Sequence, residues 1–334
     1  MQNLVALQRC PLCARDAARA SVLYDVGSVG VGIVRCEACG LVFATAGARA
    51  EDLGADYNAR AARDRSAGLE AAGGVRPGCG RKRVRLALYD RLSRQKIAGP
   101  RAGARVLDIG CNTGLLLDVL REFGYQTEGI ERSPAAADAV AAGHRVHRID
   151  IEGAEDLEGR FDLIMLTHVL EHLRRPVDAL RWIGRHLTPE GIAVIEVPNF
   201  DDRARPLWGL SYRALELGDH LSFFDRQTLS RAIDRAELTL CDLWSAPQAG
   251  SLVMPSLLSG IDCGLGMVRS LRGRASVEAA AGGGRLRGGG RLGRLTERVL
   301  AVLDRVDPAL EGIFGGDCAW GANLVAIVGP GLSA

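Results

Sequence analysis

The sequence predicts an α/β protein with a parallel sheet covered by helices on both faces. From residue 101 onward, short apolar runs alternate with amphipathic segments of helical period. Such alternation is typical of parallel strands joined by helical crossovers. The first run leads into a turn bracketed by glycines, VLDIGCNTG at 106–114, which is the pattern of a strand that opens into a ligand-binding loop.

The elements follow one another in chain order. Strands are predicted at ARVLDIG, YQTEGIE, HRVHRIDI, FDLIMLTHV and GIAVIEVPN. Helices are predicted at LLLDVLREFG, which ends at Gly124, at SPAAADAVAAG, with Ser133 as N-cap and Pro134 at the first helical position, and at DALRWIGRHL. The helix DRQTLSRAIDRAEL, the strand LTLCDLW and a last strand, ANLVAIV at 322–328, complete the pattern.

Composition divides the chain into five parts. Residues 1–50 hold two cysteine pairs in short, strand-like sequence, and residues 51–100, rich in Ala and Arg, are interpreted as a helical linker or lid. Residues 101–250 carry most of the sheet. Residues 251–316, which include AGGGRLRGGGRLGR, are interpreted as a helical, glycine-rich insertion before a final strand within 317–334.

The overall charge favours neither nucleic acid nor membrane as a partner. Lys and Arg total 42 against 40 Asp and Glu, a net charge of +2. No apolar run approaches the ~20 residues of a membrane helix, and the start, MQNLVALQRC, is too short and too polar for a signal peptide. We therefore expect a cytoplasmic protein whose nine cysteines are metal ligands or core residues rather than disulfides.

The glycine turn predicts a nucleoside ligand without phosphate. The dinucleotide pattern G-x-G-x-x-G fails, because Asn112 and Leu115 stand at its second and third glycine positions. Asp108, two residues before Gly110, would repel a pyrophosphate by roughly 1–4 kcal/mol at 4 Å. S-adenosylmethionine carries a sulfonium and an ammonium instead, so an acid beside the turn favours its binding.

Two more acids follow the next two strands. Glu131 stands at the end of the second strand, where a carboxylate can accept hydrogen bonds from both ribose hydroxyls. Asp150 and Ile151, at the end of the third strand, could bind the adenine amino group and pack against the adenine ring. Three acids at three successive strand ends indicate one binding site rather than three unrelated surface residues.

These motifs resemble the successive motifs of class I S-adenosylmethionine-dependent methyltransferases. The resemblance rests on VLDIGCNTG, Glu131, FDLIMLTHVLEHL and LTPEGIAVIEVPN. It implies a Rossmann-like, seven-stranded sheet that ends in a hairpin with an antiparallel last strand, whose arms would be LTLCDLW and ANLVAIV. The cofactor-binding residues that it predicts here are Asp108, Gly110, Asn112, Gly114, Glu131, Asp150, Ile151 and His168.

The two cysteine pairs predict a zinc-ribbon module. Cys10 and Cys13 form one C-x-x-C turn, and Cys36 and Cys39 form another 22 residues later. Four thiolates in two such turns make a closed tetrahedral zinc site, which is structural rather than catalytic. The alternative, a redox-active dithiol, needs a helix N-terminus after the first cysteine, and Pro11-Leu12 gives little support for one.

Two histidine segments are candidates for the acceptor side. His168-Val-Leu-Glu171-His172 matches the inverted zinc-peptidase motif, but its place after the fourth strand favours the cofactor rim, with Glu171 and His172 pointing toward the acceptor. The segment from Asp219-His220 to Phe224 resembles one in sugar C-methyltransferases, which also carry a four-Cys zinc module. We predict His220 as general base, oriented by Asp219 and assisted by His172; the alternative for His220 is a hydrogen-bonding residue at a helix entry.

The predicted function is methyl transfer from S-adenosylmethionine to oxygen or carbon of a small molecule, such as a sugar, a glycan precursor or a secondary metabolite. One alternative is an RNA methyltransferase whose zinc module grips nucleic acid, aided by arginines at 76–85 and 285–294. Another is a non-catalytic S-adenosylmethionine-binding protein. We expect a small-molecule partner, no nucleic acid and no membrane, and either a monomer or a homodimer.

Overall fold

The computed structural model describes residues 4–26, 31–48, 103–122, 124–152, 157–202, 205–208, 212, 215, 219–246 and 323–331. The predicted linker or lid at 51–100 and the predicted insertion at 251–316 lie outside the described residues, and so do both arginine-rich stretches. No helix in the described ranges is long and apolar enough to cross a bilayer.

The described strands and helices are numbered here in chain order. The strands are β1 (Leu4–Ala6), β2 (Ala20–Val26), β3 (Val31–Cys36), β4 (Val42–Ala44), β5 (Ala46–Ala48), β6 (Arg105–Ile109), β7 (Gln126–Ile130), β8 (Arg145–His147), β9 (Phe161–Thr167), β10 (Leu187–Pro198), β11 (Ser222–Phe223), β12 (Thr239–Ala246) and β13 (Asn323–Gly329). The α-helices are α1 (Leu115–Glu122), α2 (Ala136–Ala141), α3 (Pro176–His186), α4 (Arg205–Trp208) and α5 (Arg226–Arg235), and 3-10 turns span Ala17–Arg19 and Leu170–His172.

Seven strands form the main sheet, in the order β12-β13-β10-β9-β6-β7-β8. The pairs from β10 to β8 are parallel, whereas β13 runs antiparallel to both β10 and β12. This arrangement confirms the predicted Rossmann-like sheet with an antiparallel last strand. The carboxyl ends of β6, β7 and β8 therefore lie along one edge, which is where ligands bind in open α/β sheets.

Apolar sequence places the central strands in the interior. In β9 the four residues from Leu163 to Leu166 are all buried, and so are Val106, Leu107 and Ile109 of β6. Strands buried on both faces require such continuous apolar runs. Helix α5 begins with a reciprocal capping box, in which Thr228 N donates to Asp225 Oδ1 at 2.7 Å and Asp225 N donates to Thr228 Oγ1 at 3.0 Å.

One predicted helix start is wrong. Helix α2 has Ala135 as its N-cap, not Ser133. The Ser133 backbone N–H donates to Glu131 Oε1 at 2.7 Å, and Ser133 Oγ accepts from Ala135 N at 3.3 Å. These two hydrogen bonds hold Ser133 in a turn just before the helix. Ser133 therefore stabilises that turn and does not serve as the N-cap.

The N-terminal segment forms a small β module. Strands β1 and β5 pair with each other, and β2, β3 and β4 form an antiparallel sheet whose fourth strand is β11. The buried residues Leu12, Leu41 and Phe43 belong to the same apolar cluster as Phe224 and Leu229 of the main domain. The module and the main sheet therefore share one core.

Candidate active site

The glycine turn between β6 and α1 adopts backbone conformations that its residues suit. Gly110 and Gly114 have φ of 77° and 83°, and Asn112 has φ of 49°. The amides of Gly110 and Cys111 both donate to Ile130 O, at 2.8 and 3.1 Å. A Cβ at Gly110 would lie 2.5 Å from Val169 Cγ2. Position 110 thus requires glycine for both its left-handed φ and its close approach to Val169.

Two acids meet at this turn. Asp108 is 4% exposed, and burial, together with the nearby charge of Glu131, raises the pKa of its carboxyl to about 8. Glu131 Oε2 accepts from Asn112 N at 2.9 Å and so holds the turn closed. The buried Asn112 Oδ1 has no hydrogen-bond partner among the described residues. These hydrogen-bond acceptors suit a ligand that brings a positive charge and hydrogen-bond donors.

The third predicted acid is held by its own loop. Asp150 Oδ1 accepts from Glu152 N at 2.9 Å, and its Oδ2 lies 3.3 Å from Arg132 Nη1. The adjacent Ile151 is buried. The structure therefore leaves Asp150 at the predicted edge of the sheet, but with an arginine beside it that sequence reasoning did not consider.

His168 lies among buried polar groups after β9. Its Nδ1 is 3.2 Å from Glu171 Oε1 and its Nε2 is 3.4 Å from Asn323 Nδ2, while Asn323 Nδ2 donates to Glu196 Oε1 at 2.7 Å. Its backbone has a left-handed φ of 54°. Sequence reasoning missed Glu196 and Asn323. The available signal was a lone acid within the apolar strand GIAVIEVP and a lone amide at the start of the last strand.

Glu171, which was expected to point toward the acceptor, lies in the interior beside His172 and His220. It is 1% exposed and contacts His168. Burial by itself raises the pKa of this carboxyl, but the hydrogen bond with His168 and the nearby charges of His172, His168 and His220 outweigh burial and lower it to about 2. Glu171 is therefore a buried anion that the surrounding histidines stabilise.

The two candidate acceptor-side histidines lie together. The ring centroids of His172 and His220 are 4.7 Å apart, edge to face, and His220 is 7% exposed. His172 Nδ1 lies 3.0 Å from the backbone carbonyl of Asp219. A carbonyl only accepts, so Nδ1 carries the proton and Nε2 of the neutral ring is an acceptor. Asp219 thus contacts His172 through its main chain.

Glu171, His172 and His220 also form a potential ligand set. One carboxylate oxygen and one ring nitrogen from each histidine lie within 4.8 Å of one another. Two imidazoles and a carboxylate are a donor set that could hold a divalent cation. A proton-accepting role and a metal-binding role therefore compete for the same three side chains.

Known families identify the domain that carries this site. A family model described as a methyltransferase domain matches residues 80–243. The sheet order and the glycine turn agree with that match. The match supports a class I S-adenosylmethionine-dependent methyltransferase domain in this part of the chain.

Several relatives of this methyltransferase domain are named. The chain is 31% identical over 157 residues to the "Ubiquinone biosynthesis O-methyltransferase" of Xanthomonas oryzae pv. oryzae, covering 42% of this chain and 65% of that protein. It is 34% identical over 107 residues to the protein of the same name from Azorhizobium caulinodans, covering 30% and 42%. The match thus spans less than two thirds of these relatives. A "SAM dependent methyltransferase from Archaeoglobus fulgidus" superposes with a TM-score of 0.42 at 18% identity, covering 73% of this chain and 93% of that one.

The four N-terminal cysteines, which precede the methyltransferase domain in sequence, lie close together in one cluster. Cys10 Sγ and Cys39 Sγ lie 3.5 Å apart, as do Cys13 Sγ and Cys36 Sγ. Four thiolates at 2.3 Å from a tetrahedral zinc ion lie about 3.8 Å from one another, so the cluster has nearly the required spacing. The described Cys111 and Cys241 do not belong to it.

The two cysteine turns have the same backbone construction. Ala14 N donates to Cys10 O, and Gly40 N donates to Cys36 O, each at 2.8 Å. Both donor residues are left-handed, with φ of 58° and 79°. Each turn thus brings its own two thiols to one side, which is the arrangement that a shared metal ion requires.

Proposed function

We propose that this protein transfers a methyl group from S-adenosylmethionine to a small-molecule acceptor. The observation that carries the proposal is the buried carboxylate of Asp108 at the glycine turn of a methyltransferase sheet. A carboxylate in that position favours a cationic ligand and disfavours a phosphate. When bound, S-adenosylmethionine supplies an electrophilic methyl group on its sulfonium.

The roles of the cofactor-binding residues follow from the charges and hydrogen-bond acceptors at the strand ends. Asp108 offers charge to the cationic methionine part, and the turn of Gly110, Asn112 and Gly114 permits close approach of the backbone. Glu131 accepts two backbone amides, and because a carboxylate has about four lone-pair sites, it can also accept from ribose hydroxyls. In our assignment Asp150 and Ile151 bind the adenine, and His168 borders the site.

The acceptor roles rest on the histidine pair. We assign His220 as the base that takes the acceptor proton at a ring nitrogen, with His172 beside it. The Asp219 carbonyl fixes the tautomer of His172 and thus leaves Nε2 as an acceptor. The buried anion Glu171 stabilises a positive imidazolium nearby. Proton transfer of this kind contributes about 10²–10⁴-fold to a rate, and alignment of the reactants contributes ~7–11 kcal/mol.

The acceptor atom that we propose is a hydroxyl oxygen. The named relatives are O-methyltransferases, which supports this choice over carbon. A hydroxyl must lose its proton as the new bond forms, and a ring nitrogen of a neutral histidine can accept that proton.

We also propose that Cys10, Cys13, Cys36 and Cys39 bind one zinc ion. The short sulfur separations and the matched turns support a closed site with four protein ligands. Such a site stabilises the module and has no open position for catalysis.

The test is transfer of a labelled methyl group. Purified protein is incubated with methyl-labelled S-adenosylmethionine and host extract divided into small-molecule and RNA fractions. We expect label in the small-molecule fraction. The variant His220→Ala should lose about 10²–10⁴-fold in turnover while its S-adenosylmethionine affinity, measured by calorimetry, stays within about twofold.

Three outcomes would contradict these assignments. Label in RNA alone would overturn the small-molecule acceptor. Full turnover by His220→Ala would overturn the base. A rate that requires an added divalent cation and changes little between pH 6 and 9 would make Glu171, His172 and His220 a metal site instead.

A further inference from the structure

The methyltransferase domain lends a strand to the N-terminal module. Strand β11 pairs antiparallel with β4, with Ser222 opposite Phe43 and Phe223 opposite Val42. The resulting sheet has the order β11-β4-β3-β2. His220 stands two residues before this shared strand. The four-stranded sheet of the cysteine module therefore ends next to the candidate base, His220.

The residue after His220 is held from both sides. Leu221 N donates to Glu171 O at 2.8 Å, and Leu221 O accepts from Ala44 N at 3.0 Å. One bond reaches the turn that carries His172, and the other reaches the module. The His220 backbone is thus fixed between these two parts, and loss of the module would remove one of the two supports.

A second segment, which follows β10, also packs on the module. Phe200 and Tyr212 of this segment lie in one buried cluster with Ile33, Val42 and Phe223. Phe200 N donates to Phe224 O at 2.8 Å, so this segment is also joined to the segment that follows His220. Both segments therefore depend on the same face of the module for their position.

The third connection ends on the cysteine cluster itself. The guanidinium of Arg231 in α5 donates through Nη1 to the backbone carbonyl of Cys39. Cys39 Sγ lies 3.5 Å from Cys10 Sγ inside the cluster. Helix α5 directly follows the 219–224 segment, so this contact ties the helix after His220 to the metal-binding turn.

We propose that the N-terminal module is a positioning element of the acceptor side, and that Arg231 is a positioning residue which couples the four-cysteine cluster to His220. This inference rests on the proposed role of His220. The module then supports catalysis from within the fold, and the folded cluster is required for methyl transfer but not for S-adenosylmethionine binding. The hydrogen bonds from the module that are described above reach Leu221 and Arg231, whereas the glycine turn lies at 110–114.

The test compares two arginines of the same helix. Arg231→Ala removes the contact with Cys39, whereas Arg226→Ala removes a donor to Leu243 O at 2.6 Å on the β12 side. Hydrogen exchange by mass spectrometry reports on the peptides that contain Ala44 and Leu221. We expect Arg231→Ala to speed exchange there about fivefold to tenfold and Arg226→Ala to leave it within about twofold.

Kinetics supply a second readout. Arg231→Ala should lower kcat about tenfold to hundredfold, because small misplacements of a reacting group have effects of this size. The acceptor KM and the affinity for S-adenosylmethionine should change by no more than about threefold, and Arg231→Lys should restore part of kcat. Cys13→Ser should lose bound zinc, measured by elemental analysis, and show the same faster exchange.

The outcomes separate this inference from the proposed function. Unchanged exchange at 219–224 in both Arg231→Ala and Cys13→Ser would overturn the inference, whatever the activity. Equal loss of S-adenosylmethionine affinity and of acceptor turnover would also overturn it, because the module would then support the whole fold. If exchange and kcat respond as expected but His220→Ala retains full turnover, the positioning role stands and the base assignment fails.

Discussion

Two buried carboxylates differ in the direction of their pKa shift. Asp108 lies at the proposed cofactor edge, formed by the carboxyl ends of β6, β7 and β8, and Glu171 lies at the proposed acceptor rim, formed by residues 168–172 and 219–224. Asp108 is 4% exposed and has a pKa raised to about 8, whereas Glu171 is 1% exposed and has a pKa lowered to about 2. Both are penalised by burial. The difference comes from their neighbours, because Asp108 faces another acid, Glu131, while Glu171 faces three histidines. The buried carboxyl of Asp108 thus faces a second acid, whereas the buried carboxyl of Glu171 faces histidines.

This contrast extends to how the two regions are built. At the cofactor edge, Asp108 lies near the end of β6, and Glu131 and Asp150 follow β7 and β8. The polar contacts of Glu131 and Asp150 are with residues of the adjoining turns. At the rim, the backbone of Leu221, the residue after His220, bonds to Glu171 and Ala44, which are distant in sequence. We therefore expect substitutions within its own turns to impair the cofactor edge, whereas substitutions far from His220 can also impair the acceptor rim.

The largest effect that we predict is on the glycine turn. Gly110→Ala and Gly124→Ala both place a side chain at a left-handed φ, which costs ~1–2 kcal/mol. Only Gly110 faces Val169, since none of the described residues, chain neighbours aside, has an atom within 4 Å of a Cβ at Gly124. The overlap adds about 1–3 kcal/mol. Urea unfolding should show the larger loss for Gly110→Ala, together with loss of S-adenosylmethionine binding. Equal behaviour of the two variants would exclude a special role for the turn.

Removal of the charge at Asp108 should rank next. Asp108→Asn is expected to weaken S-adenosylmethionine binding about tenfold to hundredfold, the usual range for a lost charged hydrogen bond. The cation favours the ionised carboxylate, so the affinity of the unmodified protein should rise with pH up to about 8 and then level off. The Asn variant should lack this pH dependence, and calorimetry at several pH values checks both points.

The same variant has a predictable effect on stability. The folded pKa of Asp108 lies above the ordinary 3.8. The contribution of this group to stability is therefore complete below pH 3.8 and is lost as pH rises through about 8. Asp108→Asn, in the absence of ligand, should therefore be more stable than the unmodified protein at pH 9. A variant that is less stable at that pH would contradict the burial of an uncompensated charge.

At the acceptor rim, Glu171→Gln should cost about 1–2 kcal/mol of unfolding free energy, because it replaces a charge-assisted hydrogen bond with a neutral one. The folded pKa lies below the ordinary 4.5, so the stability from this group is present above pH 4.5 and is lost as pH falls through about 2. Denaturation at pH 7 and pH 3 measures both effects. The exposed Glu190→Gln serves as the control and should change neither.

The smallest effect concerns the helix that follows the rim. Asp225→Ala removes the N-cap of α5 and should cost about 1 kcal/mol. Asp234→Ala, near the exposed C-terminal end of the same helix, should be neutral or slightly stabilising. Thermal unfolding compares the two. A loss in Asp234→Ala as large as that in Asp225→Ala would mean that the capping box does not govern this helix.

The cofactor edge was largely predictable from the sequence because its signals are local. The strand that contains VLDI runs into the glycine turn, so the sequence showed Asp108 beside that turn. It also showed Glu131 at the end of the next strand. The spacing within the paired C-x-x-C turns likewise predicted which cysteines form the cluster. In each case the residues that meet in space lie within a few positions of a turn that the sequence marks.

The acceptor rim was not predictable in the same way. Asn323 reaches Glu196 because β13 pairs with β10 in one register, with Asn323 opposite Pro198, across more than a hundred residues. Strand β11 has only two residues, too few to give a periodic signal, so its pairing with β4 could not be anticipated. For Glu171, the sequence indicated a polar residue beside His172 but not its burial against His168.

The most direct test of the account is calorimetry with two nucleoside ligands of opposite charge. S-adenosylmethionine and NAD⁺, whose pyrophosphate is anionic, are titrated separately into the protein at pH 8. We predict binding of S-adenosylmethionine at one site per chain and no measurable binding of NAD⁺. Tighter binding of NAD⁺ than of S-adenosylmethionine would contradict the central claim, because the acids at the strand ends would then not select a cation.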